Sequence, residues 1–515
     1  MPARDNSLRE LQNEIRRFVA SLRHPVVVED EEELFDLTVA RWKLGVEFGK
    51  LLLEVWNDAR TIGRRVEEIA YRDAGKLGLF VRKPGARETN TLEMRELEPA
   101  RATKKKAGSL PAPKPPARAR SRQNLLALLT RNYPGWKFER VSNLSDREFS
   151  FSTWYTRGVA RQGRTAWAFV GLGPDEPPAA ADAVLAHGLI WLDWLRRCSE
   201  RVTIGGLKLF LPHHAVELTA HRAAYLNRRA LQIEIFDWSA REAQAIPVDL
   251  RDFGNVSSHL VHQREGQALI DRHLGLLREF LGDLFDAVQL AADAGVLSLR
   301  VHGLEVARVE GQIAPRISFG VEGASRRLND SSREEFRDYV RSVLEIRHAK
   351  GRDRTHDFYR LQSERWLESL LLRDVTKLDP ALVPGAVYPQ VPAFVGSDRG
   401  VIDILAATRE GRLAVIELKL DEHINLPMQG LDYWLRVKWL AERGQFQETG
   451  YFPGFELAAR PPRLYLVAPA FRFHSTTDEL LRYFDPSIEV IKVGLNAQWR
   501  EQIQVLFRRE RQGGC

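Results

Sequence analysis

Cysteine is scarce in this sequence: Cys198 and the terminal Cys515 are the two that occur among 515 residues. Two thiols make neither a disulfide framework nor a thiolate metal site, so both of those classes are excluded. A reducing cytoplasm is therefore the expected setting for the protein.

Long apolar runs are missing as well. No stretch approaches the roughly 20 apolar residues that a membrane-spanning helix needs, and the opening MPARDNSLRELQNE lacks a signal-peptide pattern. No glycine-rich loop of the Walker type occurs, so the sequence does not support ATP use. We expect a cytoplasmic protein with no membrane partner.

Positive charge is present but is confined to one segment. The net charge is +7, and residues 101–122 contain eight Lys or Arg and no acid, which leaves 7 − 8 = −1 for the rest of the chain. This Pro- and Ala-rich segment predicts a flexible basic linker. Weak, salt-dependent binding of polyanions and simple solubilisation are both compatible with it.

The most informative segment is residues 399–420, RGVIDILAATREGRLAVIELKL. Two apolar runs flank a polar turn, which predicts a β-hairpin. Side chains alternate along a strand, so Glu417 and Lys419 project to the same face. A loop centred on Glu410 would place Asp403 directly opposite Glu417.

Burying an acid and a lysine in such an apolar strand is costly unless they have partners. A hard cation such as Mg²⁺ or Mn²⁺ is held by few carboxylates, with waters and substrate phosphates completing its shell, and this suits Asp403 and Glu417. Lys419 would then orient or deprotonate the attacking water, or stabilise charge on the phosphorane. The alternative is a buried structural Glu–Lys pair.

Two predicted helices flank the hairpin. Downstream, LPMQGLDYWLRVKWLAE carries Gln429 and Tyr433 at i,i+4, so they share one face. Upstream, FYRLQSERWLESLLLRD predicts one amphipathic helix whose apolar set is Leu361, Trp366, Leu367, Leu370 and Leu371. Its Glu364 and Glu368 are also i,i+4, and either can direct a carboxylate toward the hairpin.

This order of motifs resembles the PD-(D/E)xK nuclease superfamily over about residues 355–500. The Gln429…Tyr433 pair resembles the QxxxY motif of its RecB-like branch, and the hairpin is similar to the nuclease domain of NucS-type endonucleases. One departure is that Val401-Ile402 replace the proline that precedes the aspartate.

The resemblance implies a role for each matching residue. Asp403 and Glu417 would be metal ligands, and Lys419 the catalytic lysine. Glu368, or alternatively Glu364, would be the helix acid that assists the metal. Gln429 and Tyr433 would steady the site or the DNA backbone.

The whole chain predicts an α/β (α+β multidomain) protein of about three domains. We expect a mostly helical accessory module over 1–100, the linker over 101–122, an α/β middle domain over 123–345 and a restriction-endonuclease-like mixed sheet flanked by helices over 355–510. The helical expectation rests on apolar spacing within 6–75, and residues 76–94 predict a short hairpin.

The middle domain contains a shortened echo of the hairpin, RGVARQGRTAWAFVGL, residues 157–172. Aligning the Arg-Gly-Val steps puts Arg161 where Asp403 stands, and aligning the glycine turns puts Phe169 and Gly171 where Glu417 and Lys419 stand. A duplicated nuclease fold and a chance likeness of apolar hairpins both explain the echo. A duplicate would have lost every catalytic position.

The leading hypothesis is a metal-dependent DNA nuclease, an endonuclease or exonuclease for repair, recombination or defence, acting on DNA that can be single-stranded or branched. One alternative is a non-cleaving nucleic-acid-binding or scaffold protein that keeps the fold. Another is a nuclease subunit that is active only in a homodimer or a protein complex. Fold-level analogy does not choose the substrate.

Overall fold

The protein is described by a computed structural model that covers residues 2–29, 32–47, 50–56, 61–73, 75–82, 89–97, 115–145, 151–198, 202–239, 241–251, 258–260, 262–293, 295–311, 315–320, 326–351, 353–354, 356–395 and 398–511. The expectation of a mixed α/β chain is confirmed, because helices and several separate sheets alternate along it. Among these residues, no helix has the length and apolar character needed to cross a membrane.

The N-terminal unit is one helix followed by an antiparallel sheet. Its elements are α1 (Pro2–Ser21), β1 (Pro25–Glu29), β2 (Glu32–Asp36), β3 (Arg41–Glu47), β4 (Lys50–Trp56), β5 (Thr61–Asp73), β6 (Lys76–Arg82) and β7 (Thr89–Glu96). The strand order is β2-β1-β7-β6-β5-β4-β3. The predicted hairpin within 76–94 is confirmed, since β6 pairs with β7.

The expectation of a mostly helical module over 1–100 is wrong. Leu51, Leu53 and Val55 are buried at every second position of β4, which is the strand period. Val39, one of the apolar residues within 6–75 on which the helical expectation rests, is 79% exposed in a turn. Apolar residues three or four apart are ambiguous when turns interrupt them, and here the strand period prevails over the helical one.

The middle lobe, residues 115–247, is a mixed sheet with helices. Its elements are α2 (Pro115–Asn132), β8 (Lys137–Ser142), β9 (Tyr155–Gln162), β10 (Thr165–Leu172), α3 (Pro178–Cys198), β11 (Thr203–Leu211), α4 (His213–Ala224), β12 (Gln232–Ser239) and β13 (Gln244–Pro247). The strand order is β13-β12-β11-β10-β9-β8.

The predicted linker over 101–122 is too long at its C-terminal end. Helix α2 begins at Pro115, and proline is well suited to a first helical turn. Arg118 forms an ion pair with Glu176 at 2.8 Å, so this part of the basic segment is anchored to the middle lobe. Residues 101–114 lie outside the described residues.

The predicted middle domain over 123–345 contains two units. After β14 (Ser258–Leu260), a meander unit follows with its own core. Its elements are α5 (Gln263–Leu281), β15 (Gln289–Asp293), β16 (Val296–Val301), β17 (Leu304–Glu310), β18 (Arg316–Phe319), β19 (Arg326–Arg327) and α6 (Arg333–Ile346). Its five strands form a sheet of their own, in chain order, separate from the mixed sheet.

The C-terminal lobe, residues 357–511, is a second mixed sheet. Its elements are α7 (Asp357–Arg360), α8 (Ser363–Arg373), β20 (Leu382–Val395), β21 (Asp398–Thr408), β22 (Leu413–Leu418), α9 (Leu426–Glu442), α10 (Gln445–Glu448), β23 (Arg463–Pro469), α11 (Thr477–Arg482), β24 (Val490–Leu495) and β25 (Val505–Glu510). The strand order is β14-β20-β21-β22-β23-β24-β25.

The predicted single helix upstream of the hairpin is broken. Gln362 has a left-handed backbone, with φ of 49°, and separates α7 from α8. Leu361 is consequently 41% exposed and does not belong to the apolar face. Trp366, Leu367 and Leu371 are buried as expected.

The two lobes share one topology. Each sheet is entered after a helix by a β-meander, continues through two parallel strands reached by helices, and ends in an antiparallel strand. Helices α3 and α4 of the middle lobe correspond in this order to α9 and α11 of the C-terminal lobe. Buried apolar residues of both lobes form one continuous core between these helices.

Candidate active site

The predicted hairpin carries two acids on neighbouring strands. Ile404 pairs with Ile416, and continuing this register places Asp403 opposite Glu417, as the loop length predicts. Gly411, with φ of 76°, makes the turn, and a Cβ there would lie 2.2 Å from a backbone oxygen. The Oδ2 atom of Asp403 accepts a hydrogen bond from the Leu418 amide at 2.9 Å.

Glu417 is fully buried in the middle of the sheet. No donor group within the described part of the chain gives a hydrogen bond to either of its carboxylate oxygens, and the carboxyl of Asp403 can share a hydrogen bond with Glu417 when one of the two is protonated. Burial, reinforced by the charge of Asp403, raises the pKa of Glu417 well above its ordinary value. A buried carboxylate without hydrogen bonds is costly to keep, which marks a place where a ligand can satisfy it.

Lys419 follows β22 directly and lies among carboxylates. Its Nζ atom is 3.6 Å from Oε1 of Glu417 and 3.4 Å from Oε2 of Glu364. Burial lowers the pKa of Lys419, but the charges of Glu417 and Glu364 outweigh burial and hold it above its ordinary value. The surrounding carboxylates therefore favour the ammonium form of this side chain.

The two candidate helix acids on α8 have different surroundings. Glu364 also accepts a hydrogen bond from the Leu420 amide at 3.4 Å. Glu368 is buried and accepts a hydrogen bond from Gln390, whose Nε2 atom also reaches Oδ1 of Asp403 at 3.5 Å. Burial raises the pKa of Glu368 to about 8, against the opposing charge of Arg365. Each acid thus reaches the hairpin, Glu364 through Lys419 and Glu368 through Gln390.

Helix α9 has the bounds that the sequence predicts, and its two marked residues meet. Nε2 of Gln429 donates to the hydroxyl of Tyr433 at 3.2 Å. Burial and the charge of Glu417 raise the pKa of Tyr433. The pair therefore lies within electrostatic range of the carboxylates.

The four neighbouring carboxyl groups of this site share one electrostatic feature. Burial also raises the pKa of Asp403 and of Glu364, so all four are harder to ionise than usual. Within the described ranges, no three His, Cys, Asp or Glu side chains converge as a ready metal cluster, so the predicted ligand set of Asp403, Glu417 and Glu368 is not assembled. Asp403 facing Glu417 still fits a hard cation that keeps most of its waters.

No protein-family model and no curated protein matches this chain.

A pocket of about 420 Å³ opens beside these residues. The C-terminal lobe contributes Glu364, Lys419, Gln429, Tyr433 and Arg436 to its lining, while Asp403 and Glu417 do not line it. Any group that enters the pocket would therefore meet the lysine and the Gln–Tyr pair first.

The middle lobe forms another wall of the same pocket, through Asp182 of α3 and Leu218 and Arg222 of α4. The guanidinium of Arg222 donates to the carboxylate and to the backbone oxygen of Asp182, both at 2.7 Å. The other carboxylate oxygen of Asp182 accepts from Asn425 of the C-terminal lobe. These hydrogen bonds hold charged side chains of the middle lobe next to the candidate site of the C-terminal lobe.

The N-terminal unit also reaches this region. Arg64 of β5 forms buried ion pairs with Glu29 at 2.8 Å and with Glu422 at 2.6 Å. Glu29 in turn lies 3.3 Å from Arg472. The network ties the loop that follows Lys419 to the N-terminal sheet, which restricts where that loop can move.

Sequence reasoning missed Gln390, Asp182 and Arg222. Gln390 lies opposite Asp403 in the β20–β21 register, and a polar residue within the apolar strand YPQVP is a signal that could have revealed it. Asp182 and Arg222 approach the site through the packing of two lobes, for which the sequence holds no local pattern.

Residues 157–172 form the hairpin of the middle lobe that corresponds to the one in the C-terminal lobe, but the residue matches predicted from the sequence are wrong. Gly188 of α3 packs on Leu207 and Leu209, just as Gly430 of α9 packs on Leu464 and Leu466. Leu466 pairs with Glu417, and Leu209 pairs with Val170. The match to Glu417 is therefore Val170, and two residues further on Leu172 matches Lys419.

The match to Asp403 is Arg157, because Arg157 is the cross-strand partner of Val170. The two hairpins differ in their turns, with Gln162 paired to Thr165 in one and Ala407 to Leu413 in the other. Aligning by glycine turns thus slipped the second strand by one residue, which moves every side chain to the opposite face.

Proposed function

We propose that this protein is a metal-dependent nuclease that hydrolyses phosphodiester bonds in DNA. The supporting observation is Glu417, buried without a hydrogen bond to its carboxylate, opposite Asp403 and beside Lys419. This arrangement resembles the PD-(D/E)xK superfamily, with a C-terminal sheet of the restriction-endonuclease kind. It fits a cytoplasmic protein whose partner is DNA.

Asp403 and Glu417 would hold Mg²⁺ or Mn²⁺, with Glu368 or Glu364 assisting. The bound ion supplies Lewis acidity and makes water a nucleophile near neutral pH. Burial is the largest cause of the raised pKa of all four carboxyl groups, and the charge of Asp403 adds to it for Glu417, Glu368 and Glu364. A bound cation would stabilise the ionised form of each group.

Lys419 would act as a proton donor and a fixed positive charge. The carboxylates beside Lys419 raise its pKa and so favour the ammonium form, which is not a general base. The ammonium can orient the attacking water and stabilise the charge that accumulates on the phosphorane oxygens. Of the three roles expected for this lysine, the raised pKa supports the two that need a charged side chain.

Gln429 and Tyr433 would position the substrate. Both line the pocket next to Lys419 and hydrogen-bond each other. Since the raised pKa keeps the Tyr433 hydroxyl neutral, it can donate to a phosphate oxygen. The pair would thus hold the backbone of the bound strand.

The decisive experiment compares the wild type with Lys419→Ala on single-stranded, duplex and branched DNA in Mg²⁺ or Mn²⁺. Lys438→Ala, which removes a lysine paired with Glu442 on helix α9, is the matched control. We expect fragments from the wild type and the control, and none from Lys419→Ala. Equal behaviour of all three proteins on every substrate would refute the proposal.

Metal binding can be tested without any cleavage. We expect Mn²⁺ to raise the melting temperature of the wild type, because an ion that binds the folded state stabilises it. Glu417→Gln removes a ligand charge and should abolish most of that increase. An equal increase in melting temperature in both proteins would show that the ion does not bind at Glu417.

A non-cleaving nucleic-acid-binding protein is the second candidate, favoured by the middle lobe, where the same topology persists without the acids. Gel shifts in EDTA, with and without residues 101–114, would separate binding by the folded lobes from binding by the basic segment. Retained binding by a protein that releases no fragments in metal would select this candidate.

A further inference from the structure

The two lobes contact each other reciprocally. The amide of Asn227 donates to the Tyr483 carbonyl at 2.8 Å, and the amide of Asp485 donates to the Tyr225 carbonyl at 2.9 Å. Leu226 and Phe484 form an antiparallel bridge between these pairs. Tyr225 follows α4 and Tyr483 follows α11. Because α4 and α11 are corresponding helices, each lobe contacts the other through the equivalent segment of its chain.

The helices around this contact obey the same rule. Helix α4 packs on α9, its counterpart α11 packs on α3, and α3 also packs on α9. A contact in which element i meets j and j meets i defines a twofold relation between two copies. The chain is therefore built as an internal dimer of one fold.

The place that corresponds to the site is filled in the middle lobe. Arg157 is buried there, with its guanidinium carbon 4.4 Å from the ring centre of Phe151 and 5.7 Å from that of Trp191. Val170 and Leu172, at the Glu417 and Lys419 positions, are buried in the apolar core. A guanidinium in place of a carboxylate repels a divalent cation, so this place cannot assemble a second metal centre.

We propose that each molecule cuts one strand of DNA per encounter, and that its product from duplex DNA is a nick. This rests on the proposed function. Two catalytic centres related by a twofold axis would match the two antiparallel strands of a duplex. In this chain, the internal twofold relates one such centre, in the C-terminal lobe, to a place in the middle lobe that lacks the acids. Each event adds water to one phosphorus, breaks one phosphorus–oxygen bond to a sugar and transfers a proton to the released oxygen.

Because each lobe already has the other as its partner, we do not expect two chains to pair through the same helices. Buried apolar residues of both lobes already cover the helices α3, α4, α9 and α11, which carry the reciprocal contacts. A pairing of two chains through those helices would require the lobes to separate. Cleavage by a single chain is thus the expected reaction order.

The test uses supercoiled plasmid in excess over the full-length protein with Mg²⁺. Nicked circles should form first, at an initial rate proportional to the first power of protein concentration, and linear DNA should appear only after nicks accumulate. Adding a tenfold amount of Asp403→Asn chains, with plasmid still in excess over total protein, should leave the initial rate unchanged.

Three outcomes separate the possibilities. Nicked circles with first-order dependence support the inference. Linear DNA as the first product, or a rate that falls when Asp403→Asn chains are added, overturns it while leaving the nuclease proposal intact, provided that Lys419→Ala is inactive. A plasmid that the wild type and Lys419→Ala leave in the same state overturns the inference, and the single-stranded and branched substrates then decide whether the nuclease proposal falls with it.

Discussion

The C-terminal lobe and the middle lobe place different chemistry at one position of one fold. In the first, Asp403, Glu417 and Lys419 cluster at the centre of the sheet; in the second, the corresponding residues are Arg157, Val170 and Leu172. Six strands follow in the same order in both sheets, and β14 adds a seventh to the C-terminal one. The comparison shows that the fold supplies a position and that a few side chains decide what happens there.

The two sets of side chains also differ in their cost. In the middle lobe, Val170 and Leu172 add apolar burial, and Arg157 is stacked on aromatic rings. In the C-terminal lobe, Glu417 is buried without a hydrogen bond and its pKa is strongly raised. The C-terminal lobe thus keeps a buried carboxylate that is costly to stability, whereas the middle lobe has apolar residues at the matched places. Such a cost is expected at a functional site.

The largest expected effect comes from exchanging isosteric groups at the matched positions. Glu417→Gln should lower cleavage on the order of 1000-fold or more, because it removes a ligand charge, and should leave the melting temperature unchanged or higher. Val170→Thr should cost about 1–3 kcal/mol of stability through a buried hydroxyl and leave cleavage per folded molecule intact. Loss of cleavage in folded Val170→Thr would mean that the middle lobe takes part in the reaction.

Arg222 tests how far the middle lobe serves the site of the other lobe. Arg222→Ala should remove a charged hydrogen-bond donor from the pocket, worth roughly 1.5–3 kcal/mol, and so raise KM about 10- to 100-fold with a much smaller change in kcat. Arg229→Ala, an exposed arginine on the same lobe, is the control for general charge. Steady-state kinetics that show kcat falling with KM unchanged would contradict a binding role.

The carboxylates should make stability depend on pH in the metal-free protein. The pKa of Glu368 is about 8 in the fold and 4.5 ordinarily, so the folded state holds its proton more tightly than the unfolded chain. The stability it contributes is fully present below about pH 4.5 and is lost as the pH rises through about 8, at roughly 1.4 kcal/mol per unit of pKa difference.

Melting temperatures in EDTA between pH 5 and pH 9 measure this effect. We expect them to fall as the pH rises, with a weaker slope in Glu368→Gln and in buffers with Mn²⁺. Val170 and Leu172, at matched places in the middle lobe, have no titratable side chain and so contribute nothing to this slope. A slope unaffected by Glu368→Gln would assign the pH dependence to other groups.

Local patterns predicted the hairpin and helix α9 well. An uninterrupted strand period and a glycine turn fix where Asp403 and Glu417 stand, and the bounds of α9 follow from its apolar run. The N-terminal sheet was missed because turns separate its strands and their apolar residues also fit a helical spacing. Gln390, Asp182 and Arg222 join the site through register and through lobe packing, which no local pattern encodes.

The smallest expected effect concerns the symmetry between the lobes. The hydroxyl of Tyr483 donates to Asp193 at 3.3 Å, and the hydroxyl of the matching Tyr225 accepts from Trp439 at 3.3 Å. Tyr483→Phe and Tyr225→Phe should each cost about 0.5–1.5 kcal/mol, because each removes one hydrogen bond between lobes. Denaturant unfolding of both variants measures the contributions of the two hydrogen bonds. A loss of stability in one variant alone would show that the two halves of the contact, although reciprocal in backbone, do not contribute equally to holding the lobes together.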